Sequence, residues 1–153
     1  MQALFCGGKR KNGGVRICGD YAVSLNRYVK HVPTQQLNIN DLLEKVGKMT
    51  VFLRVDLEGA YLQLALDDES KSLTTINTTY RLYQYERLPY GIACSPGLFE
   101  SCMLQILNGL PGVLSFIDDI LVMGADRIEH ERHLQRLLAR LAQHNVRIKS
   151  AKE

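Results

Sequence analysis

Residues 113–123 read V-L-S-F-I-D-D-I-L-V-M and place two adjacent aspartates, Asp118 and Asp119, between two apolar runs. Two apolar runs with a polar pair between them predict a β-hairpin with an acidic tip. Asp-Asp is a poor two-residue turn, where Asn-Gly or Asp-Gly is preferred, and the two carboxylates repel each other. A divalent cation would compensate, because Mg²⁺ takes oxygen ligands and stabilises neighbouring carboxylates in their ionised form. An exposed acidic turn is the alternative that this segment alone leaves open.

A third aspartate strengthens the metal interpretation. The segment L-R-V-D-L-E-G-A-Y at 53–61 puts Asp56 near the end of Val51–Leu57, a run of β-branched and apolar residues that predicts a buried strand. Three carboxylates at two strand ends could hold two metal ions about 3.5–4 Å apart. Such a pair activates a hydroxyl nucleophile and stabilises the charge that develops on a transferred phosphoryl group. The pattern therefore predicts phosphoryl-transfer chemistry that needs no histidine base.

The other hydrophobic patterns indicate helices among hairpin-forming strands. Ile39, Leu42, Leu43 and Val46 fall at i, i+3, i+4 and i+7 and predict an amphipathic helix over 37–49. Pro96 suits the first position of a helix that begins after Ser95 and runs to about Leu107. A turn at 9–14, a helix at Arg127–His144 and strands at Val15–Cys18, Leu73–Thr79, Arg81–Leu88 and Val146–Ser150 complete the predicted elements. This order predicts an α+β domain with helices packed on one face of an antiparallel sheet.

Composition favours one folded intracellular domain. With 153 residues, 46% of them hydrophobic, the chain can bury a core. The four cysteines form no C-x-x-C pair, which indicates neither a disulfide framework nor a zinc ribbon. No apolar run approaches the roughly 20 residues that span a bilayer, and the N-terminus lacks the apolar core of a signal peptide. We therefore expect a soluble protein of a reducing compartment that is neither secreted nor membrane-bound.

Charge is distributed unevenly along the chain, whose net charge is only +3. The first thirty residues carry one acidic side chain, Asp20, against six basic ones, which are Lys9, Arg10, Lys11, Arg16, Arg27 and Lys30. A basic leading segment suits contact with phosphates, and a solvated surface is the alternative.

His130 and His133 have a three-residue spacing that could serve a metal. Their charged neighbours instead favour a solvent-exposed helix surface. We assign this pair no role.

Four ordered motifs resemble those of reverse transcriptases. They are V-R-I-C-G-D-Y at 15–21, F-L-R-V-D-L-E-G-A-Y-L-Q at 52–63, L-P-Y-G-I-A-C-S-P-G-L-F at 88–99 and F-I-D-D-I-L-V at 116–122. Their order and spacing are most similar to those of gypsy-type LTR retrotransposons, and the resemblance extends from about Lys11 to the C-terminus. F-I-D-D alone would be weak, whereas four motifs in order argue strongly against chance. The resemblance implies the fingers and palm core of an RNA-directed DNA polymerase.

The resemblance also implies roles for individual residues. Asp56, Asp118 and Asp119 would be the catalytic carboxylates and, with the backbone carbonyl of Leu57, would bind two Mg²⁺ or Mn²⁺ ions. Tyr61 would lie under the sugar as a steric gate against a 2′-hydroxyl. The other implied nucleotide contacts are Glu58, Gly59 and Ala60 at the triphosphate, Tyr90 and Gly91 at the pocket border, and Arg16 with Lys11 at phosphates. Without the motifs, core packing would explain the tyrosines and a solvated turn the basic pair.

The domain organisation implied by the resemblance is that of a fragment. Residues 1–50 would be partial fingers and the approach to the palm, and 51–153 the catalytic palm, with 63–90 a candidate return to the fingers. Thumb, connection and RNase H segments are expected to be absent. Two departures from the family are that M-Q-A-L-F-C-G-G matches its fingers strand poorly and that Glu100 replaces a common glutamine.

The implied partners are a primed RNA or DNA template, deoxynucleoside triphosphates and the rest of a Pol polyprotein, in cytoplasmic virus-like particles or the nucleus. The alternative is an inactive or domesticated retroelement remnant that binds nucleic acid or protein without polymerising. An unrelated α+β binding protein is a third class, which the four motifs disfavour.

Overall fold

A computed structural model describes residues 3–9, 15–30, 32–33, 46–116 and 119–149. The chain forms two compact units: Met1–Pro33 with Tyr61–Phe99 makes the first, and Thr34–Ala60 with Glu100–Glu153 makes the second. The strands are β1 (Ala3–Lys9), β2 (Val15–Asp20), β3 (Val51–Asp56), β4 (Ile76–Asn77), β5 (Leu82–Tyr83), β6 (Val113–Phe116) and β7 (Asp119–Gly124). The helices are α1 (Asp68–Leu73), α2 (Ser95–Leu107) and α3 (Arg127–Gln143), with 3-10 helices at Leu25–Arg27 and Ala60–Gln63. This mixture of helices and largely antiparallel strands confirms the predicted α+β class.

The first unit contains a mixed sheet with strand order β2-β1-β4-β5. β1 pairs antiparallel with β2, from Leu4 opposite Asp20 to Lys9 opposite Val15, and parallel with β4. Sequence patterns do not predict β1, because its Cys6-Gly7-Gly8 stretch has little preference for a strand. Continuous backbone pairing with β2 supplies what local preference lacks.

The segment between Asp67 and Leu88 differs from its prediction. The expected strands at Leu73–Thr79 and Arg81–Leu88 are wrong in extent, since only the two-residue strands β4 and β5 form. Before them the chain forms α1, which sequence reasoning missed. The carboxylate of Asp67 accepts a hydrogen bond from the amide of Ser70 at 2.7 Å, and this N-cap stabilises a helix start.

Tyr21, Ile76 and Ile92 form a buried core in the first unit. Tyr21 is only 1% exposed, and its hydroxyl donates a hydrogen bond to the carbonyl oxygen of Thr74 at 3.1 Å. Burial raises the pKa of the Tyr21 hydroxyl far above its ordinary value. The core therefore keeps this polar group neutral and hydrogen-bonded.

The second unit contains an antiparallel sheet with strand order β3-β7-β6, and α3 packs against β7 and β3. β6 and β7 form the predicted hairpin, with registers running from Val113 opposite Val122 to Phe116 opposite Asp119. Ile117 and Asp118 lie outside the described residues. The predicted strand Val51–Leu57 is confirmed as β3, one residue shorter.

The two long helices agree with their predicted bounds. α2 spans Ser95–Leu107, and the buried hydroxyl of Ser95 donates to the carbonyl oxygen of Pro89 at 3.0 Å. α3 begins at Arg127 and ends at Gln143, one residue earlier than predicted. Most of the predicted helix over 37–49 lies outside the described residues, because 34–45 are not described. The same holds for residues 10–14 of the predicted turn.

His130 and His133 are buried, so their prediction as exposed helix surface is wrong. Both lie on the face of α3 that also buries Leu137 and Leu141, because positions three, four and seven residues apart share one side of a helix. The helical period, rather than the charge of sequence neighbours, decides their environment.

Within the described ranges, no helix combines the length and apolar character that crossing a bilayer requires.

Candidate active site

β3 and β7 bring two of the three predicted carboxylates together. In the antiparallel register of these strands, Asp56 is the direct partner of Asp119. Directly opposed residues of antiparallel strands project to the same face, with Cβ atoms about 4.5–5.5 Å apart. Both carboxylates therefore lie on one face at one end of the second unit's sheet. Asp118, the third predicted carboxylate, lies outside the described residues.

Two basic side chains contact this acidic pair. Nε of Arg54 lies 3.3 Å from Oδ1 of Asp56, and Nη1 of Arg54 lies 3.8 Å from Oδ2 of Asp119. Nζ of Lys149 lies 3.9 Å from the other oxygen of Asp56, Oδ2. Like charges directly opposite each other destabilise a sheet, so these cations offset a repulsion that the register creates.

The segment after α3 pairs with the end of β3. Leu57 and Ile148 form an antiparallel bridge. The amide of Lys149 donates to the carbonyl oxygen of Asp56 at 2.9 Å, and the amide of Glu58 donates to the carbonyl oxygen of Arg147 at 3.0 Å. The predicted strand Val146–Ser150 is thus reduced to a single bridge, but it secures the backbone that carries Asp56.

The donor set of this site fits a hard divalent cation. Asp56 and Asp119 supply carboxylate oxygens, which Mg²⁺ prefers, and their side chains are 39% and 36% exposed. In the part of the chain that the structure describes, no three or more His, Cys, Asp or Glu side chains form a group that could hold a metal. The described part of the site thus consists of two of the three proposed carboxylates, Asp56 and Asp119, which face each other across β3 and β7.

Four other predicted site residues directly follow β3, and their roles stay predictions. Leu57 and Ala60 are buried, Glu58 is exposed, and Gly59 has a φ of +65°, which favours glycine. Two predicted phosphate contacts lie in the first unit's part of the sequence. The backbone of Arg16 pairs with Gly8 in the β1–β2 ladder, whereas Lys11 lies outside the described residues.

Tyr61 and Tyr90 pack together in the first unit, where their ring centroids are 5.1 Å apart. The ring of Phe99 contacts Tyr61 edge-on at 5.5 Å. Both tyrosines are partly exposed, and Phe99 is buried. This aromatic cluster orients the Tyr61 ring, which a steric role would require.

Gly91 occupies a position that only glycine fits easily. Its φ is +94°, and a Cβ atom there would lie 2.9 Å from the carbonyl oxygen of Gly19. Asn26 holds the same loop, because its side-chain amide donates to the carbonyl oxygen of Gly91 at 2.9 Å and accepts from the amide of Ala93 at 2.8 Å. Sequence reasoning missed Asn26, since nothing near it in sequence indicates partners more than sixty residues away.

Comparisons with known proteins identify a family. Residues 9–153 match the model of the family described as reverse transcriptase (RNA-dependent DNA polymerase). An uncharacterized protein of Caenorhabditis elegans is 33% identical over 149 residues, which cover 94% of this chain and 11% of that protein. The retrovirus-related Pol polyprotein from transposon 297 of Drosophila melanogaster is 33% identical over 113 residues, covering 72% of this chain and 11% of the polyprotein. The chain thus spans about a tenth of the length of these relatives.

A solved structure shares the fold. The foamy viral protease–reverse transcriptase in complex with double-stranded DNA superposes with a TM-score of 0.85 at 21% identity, covering 97% of this chain and 26% of that one. The family match over nearly the whole sequence and this likeness of fold lead to one conclusion. The chain belongs to the reverse transcriptase (RNA-dependent DNA polymerase) family.

Proposed function

We propose that this chain is the fingers and palm part of an RNA-directed DNA polymerase from a gypsy-type LTR retrotransposon. The observation that carries the proposal is the register of β3 and β7, which makes Asp56 the direct partner of Asp119. These aspartates lie 63 residues apart in sequence, and the motifs that contain them resemble the catalytic motifs of the family. Phosphoryl transfer by two metal ions needs carboxylates that are gathered at one point.

Asp56, Asp118 and Asp119, with the backbone carbonyl of Leu57, would hold two Mg²⁺ or Mn²⁺ ions. When bound, two such ions would activate the primer 3′-hydroxyl and stabilise the charge on the transferred phosphoryl group. The protein's own contribution is positioning, because little other covalent chemistry is required of it. The pairing of Leu57 with Ile148 supports this role by holding the end of β3 in place.

The proposed nucleotide contacts follow from the resemblance of the motifs to those of the family. We assign Tyr61 the exclusion of the 2′-hydroxyl, and the cluster of Tyr61 with Tyr90 supports this role by restricting the ring. The remaining proposed contacts are Lys11, Arg16, Glu58, Gly59, Ala60 and Gly91.

We assign 1–50 to partial fingers and the approach to the palm, and 51–153 to the palm, with 63–90 returning to the fingers. The return of residues 61–99 to the first unit supports the proposed return of 63–90 to the fingers. The substrates would be a primed template and deoxynucleoside triphosphates, and the neighbouring parts would belong to a Pol polyprotein like that of transposon 297. The double-stranded DNA in the foamy viral complex supports duplex binding by this fold.

A retroelement remnant that binds nucleic acid without polymerising is the competing function. It would keep the fold and its basic N-terminal segment but would not depend on the aspartates. The two functions therefore differ in whether activity depends on Asp119.

The deciding experiment is primer extension on an RNA template with Mg²⁺. Since polymerases also grip their duplex outside the palm, residues 1–153 would be joined to the segment that follows the matched region of the transposon 297 polyprotein. We expect extension that Asp119→Asn and Asp118→Asn abolish. The matched control is Asp68→Asn, which removes the same charge from a carboxylate that is 97% exposed in the first unit and should leave extension unchanged. A chimera that binds the duplex but never extends the primer would favour the remnant.

A further inference from the structure

Arg54 contacts both carboxylates of the candidate metal site. It precedes Asp56 by two residues in β3, so its side chain lies on the same face of the sheet. Its guanidinium reaches Oδ1 of Asp56 at 3.3 Å and Oδ2 of Asp119 at 3.8 Å. Lys149, the other described cation here, reaches Asp56 at 3.9 Å through Oδ2. Arg54 is therefore the residue whose ion pairs join the two strands.

The position of Arg54 makes it a rival of a metal ion. A guanidinium is charged at every relevant pH and presents several N–H donors in one plane. The oxygens that it contacts belong to the carboxylates that would hold a divalent cation. A divalent cation held by the same two carboxylates would be repelled by the arginine, so the two positive charges would compete for them.

We propose that Arg54 is a built-in counter-ion that neutralises Asp56 and Asp119 before metal binds and competes with the divalent cation for them. This inference rests on the proposed function, because it takes the acidic pair to be a metal site. Arg54 then sets the metal affinity of the site without being a ligand. The guanidinium would move away from the carboxylates when metal binds.

The exposure of Arg54 is what allows such an exchange. Its side chain is 68% exposed, so the guanidinium can leave the carboxylates without breaking a packed core. Exposed ion pairs contribute little to the stability of the fold. Their main effect here would be to lower the affinity of the site for a divalent cation. Replacement of Arg54 should consequently change metal affinity more than it changes stability.

Mn²⁺ binding to the 153-residue chain, measured by electron paramagnetic resonance without nucleotide, tests this proposal. Arg54→Gln should bind Mn²⁺ roughly three- to tenfold more tightly than the parent, as expected for loss of one nearby positive charge. Arg54→Lys keeps the charge and should remain within about twofold of the parent. The matched control is Arg127→Gln in the same unit, which removes an exposed arginine paired with Glu131 and should leave affinity unchanged.

Two further measurements keep the outcomes separate. Thermal unfolding in EDTA shows whether each variant is folded. If Arg54→Gln does not fold, Arg54→Lys provides the test instead. A large change of Mn²⁺ affinity in Arg54→Lys would contradict the charge argument. Asp119→Asn added to each protein shows whether the Mn²⁺ is bound at this site. Asp119-dependent binding that is equal or weaker in Arg54→Gln would overturn the role of Arg54 alone. Absence of Asp119-dependent binding in every protein would overturn both this inference and the metal site.

Discussion

Nδ1 of His133 lies 2.7 Å from the carbonyl oxygen of Met123 and joins the buried face of α3 to β7. Because a carbonyl only accepts, Nδ1 carries the proton in this bond. His133→Leu would leave the buried carbonyl without its donor, and we expect a loss of about 1–3 kcal/mol in the free energy of unfolding. Urea denaturation measures this loss. His144→Leu, at an exposed position just after α3, should change stability by less than about 0.5 kcal/mol. Equal effects of the two substitutions would show that the buried hydrogen bond is unimportant.

Tyr21 should make the stability of the chain fall at high pH. Its pKa is raised by burial, whereas in the unfolded chain a tyrosine ionises near pH 10. Above about pH 10 the unfolded state loses a proton that the folded state keeps, so the stability from neutral Tyr21 is complete below that pH and declines above it. Denaturation curves between about pH 9 and 11 should show a steeper decline for the parent than for Tyr21→Phe. Tyr80→Phe, at a residue 92% exposed, should follow the parent, and parallel curves for all three proteins would contradict the argument.

Alanine substitutions at Gly91 and Gly109 should distinguish the loss of stability caused by a steric clash from the loss caused by backbone strain. Both have positive φ, +94° and +76°, but a Cβ on Gly109 would meet nothing within 4 Å. A Cβ on Gly91 would press on the carbonyl oxygen of Gly19, a residue that the pairing of β2 with β1 holds in place. Alanine at either position should cost about 1 kcal/mol or more from strain, and Gly91→Ala should cost at least about 1 kcal/mol beyond Gly109→Ala. Thermal unfolding of the two variants makes the comparison, and equal losses would remove the case for close packing at Gly91.

Tyr61 should control the choice between deoxyribonucleotides and ribonucleotides. Its ring is held against Tyr90 and Phe99, so it can exclude a 2′-hydroxyl by bulk. In the chimera with added downstream sequence, Tyr61→Ala should reduce discrimination against ribonucleotides by roughly tenfold or more. Tyr61→Phe preserves the ring and should retain discrimination. Single-nucleotide incorporation with each substrate measures this discrimination. Equal discrimination by Tyr61→Ala and Tyr61→Phe would refute the steric gate.

The predicted elements that agree with the structure have local causes. The β6–β7 hairpin follows from two apolar runs around a polar pair, and the bounds of α2 follow from Ser95-Pro96 at its start. A ligand-bound turn was expected at Asp118-Asp119 because Asp-Asp is a poor turn without a ligand, whereas Asp119 is the first residue of β7 and pairs with Phe116. The metal role of these carboxylates stays a prediction.

Most features that the sequence did not predict depend on contacts between residues far apart in the chain. One, the burial of His133, follows from the helical period, which was not applied to the histidines. β1 forms because β2 pairs with it, although its glycines disfavour a strand. Asn26 carries no signal in its own neighbourhood, since its partners Gly91 and Ala93 lie far along the chain. His133 could have been recognised as buried, because it shares the helix face of Leu137 and Leu141. Arg54 could not have been recognised as a partner of Asp119 until the register of β3 and β7 was known.

The most direct test of the central claim is the number of Mn²⁺ ions bound in the presence of primer, template and a deoxynucleoside triphosphate. Electron paramagnetic resonance on the 153-residue chain counts these ions, with a primer lacking its 3′-hydroxyl to prevent reaction. The account predicts two ions per chain, with at least one lost in each of Asp56→Asn, Asp118→Asn and Asp119→Asn and none lost in Asp68→Asn. Retention of the parent's Mn²⁺ binding by all three aspartate variants would contradict it.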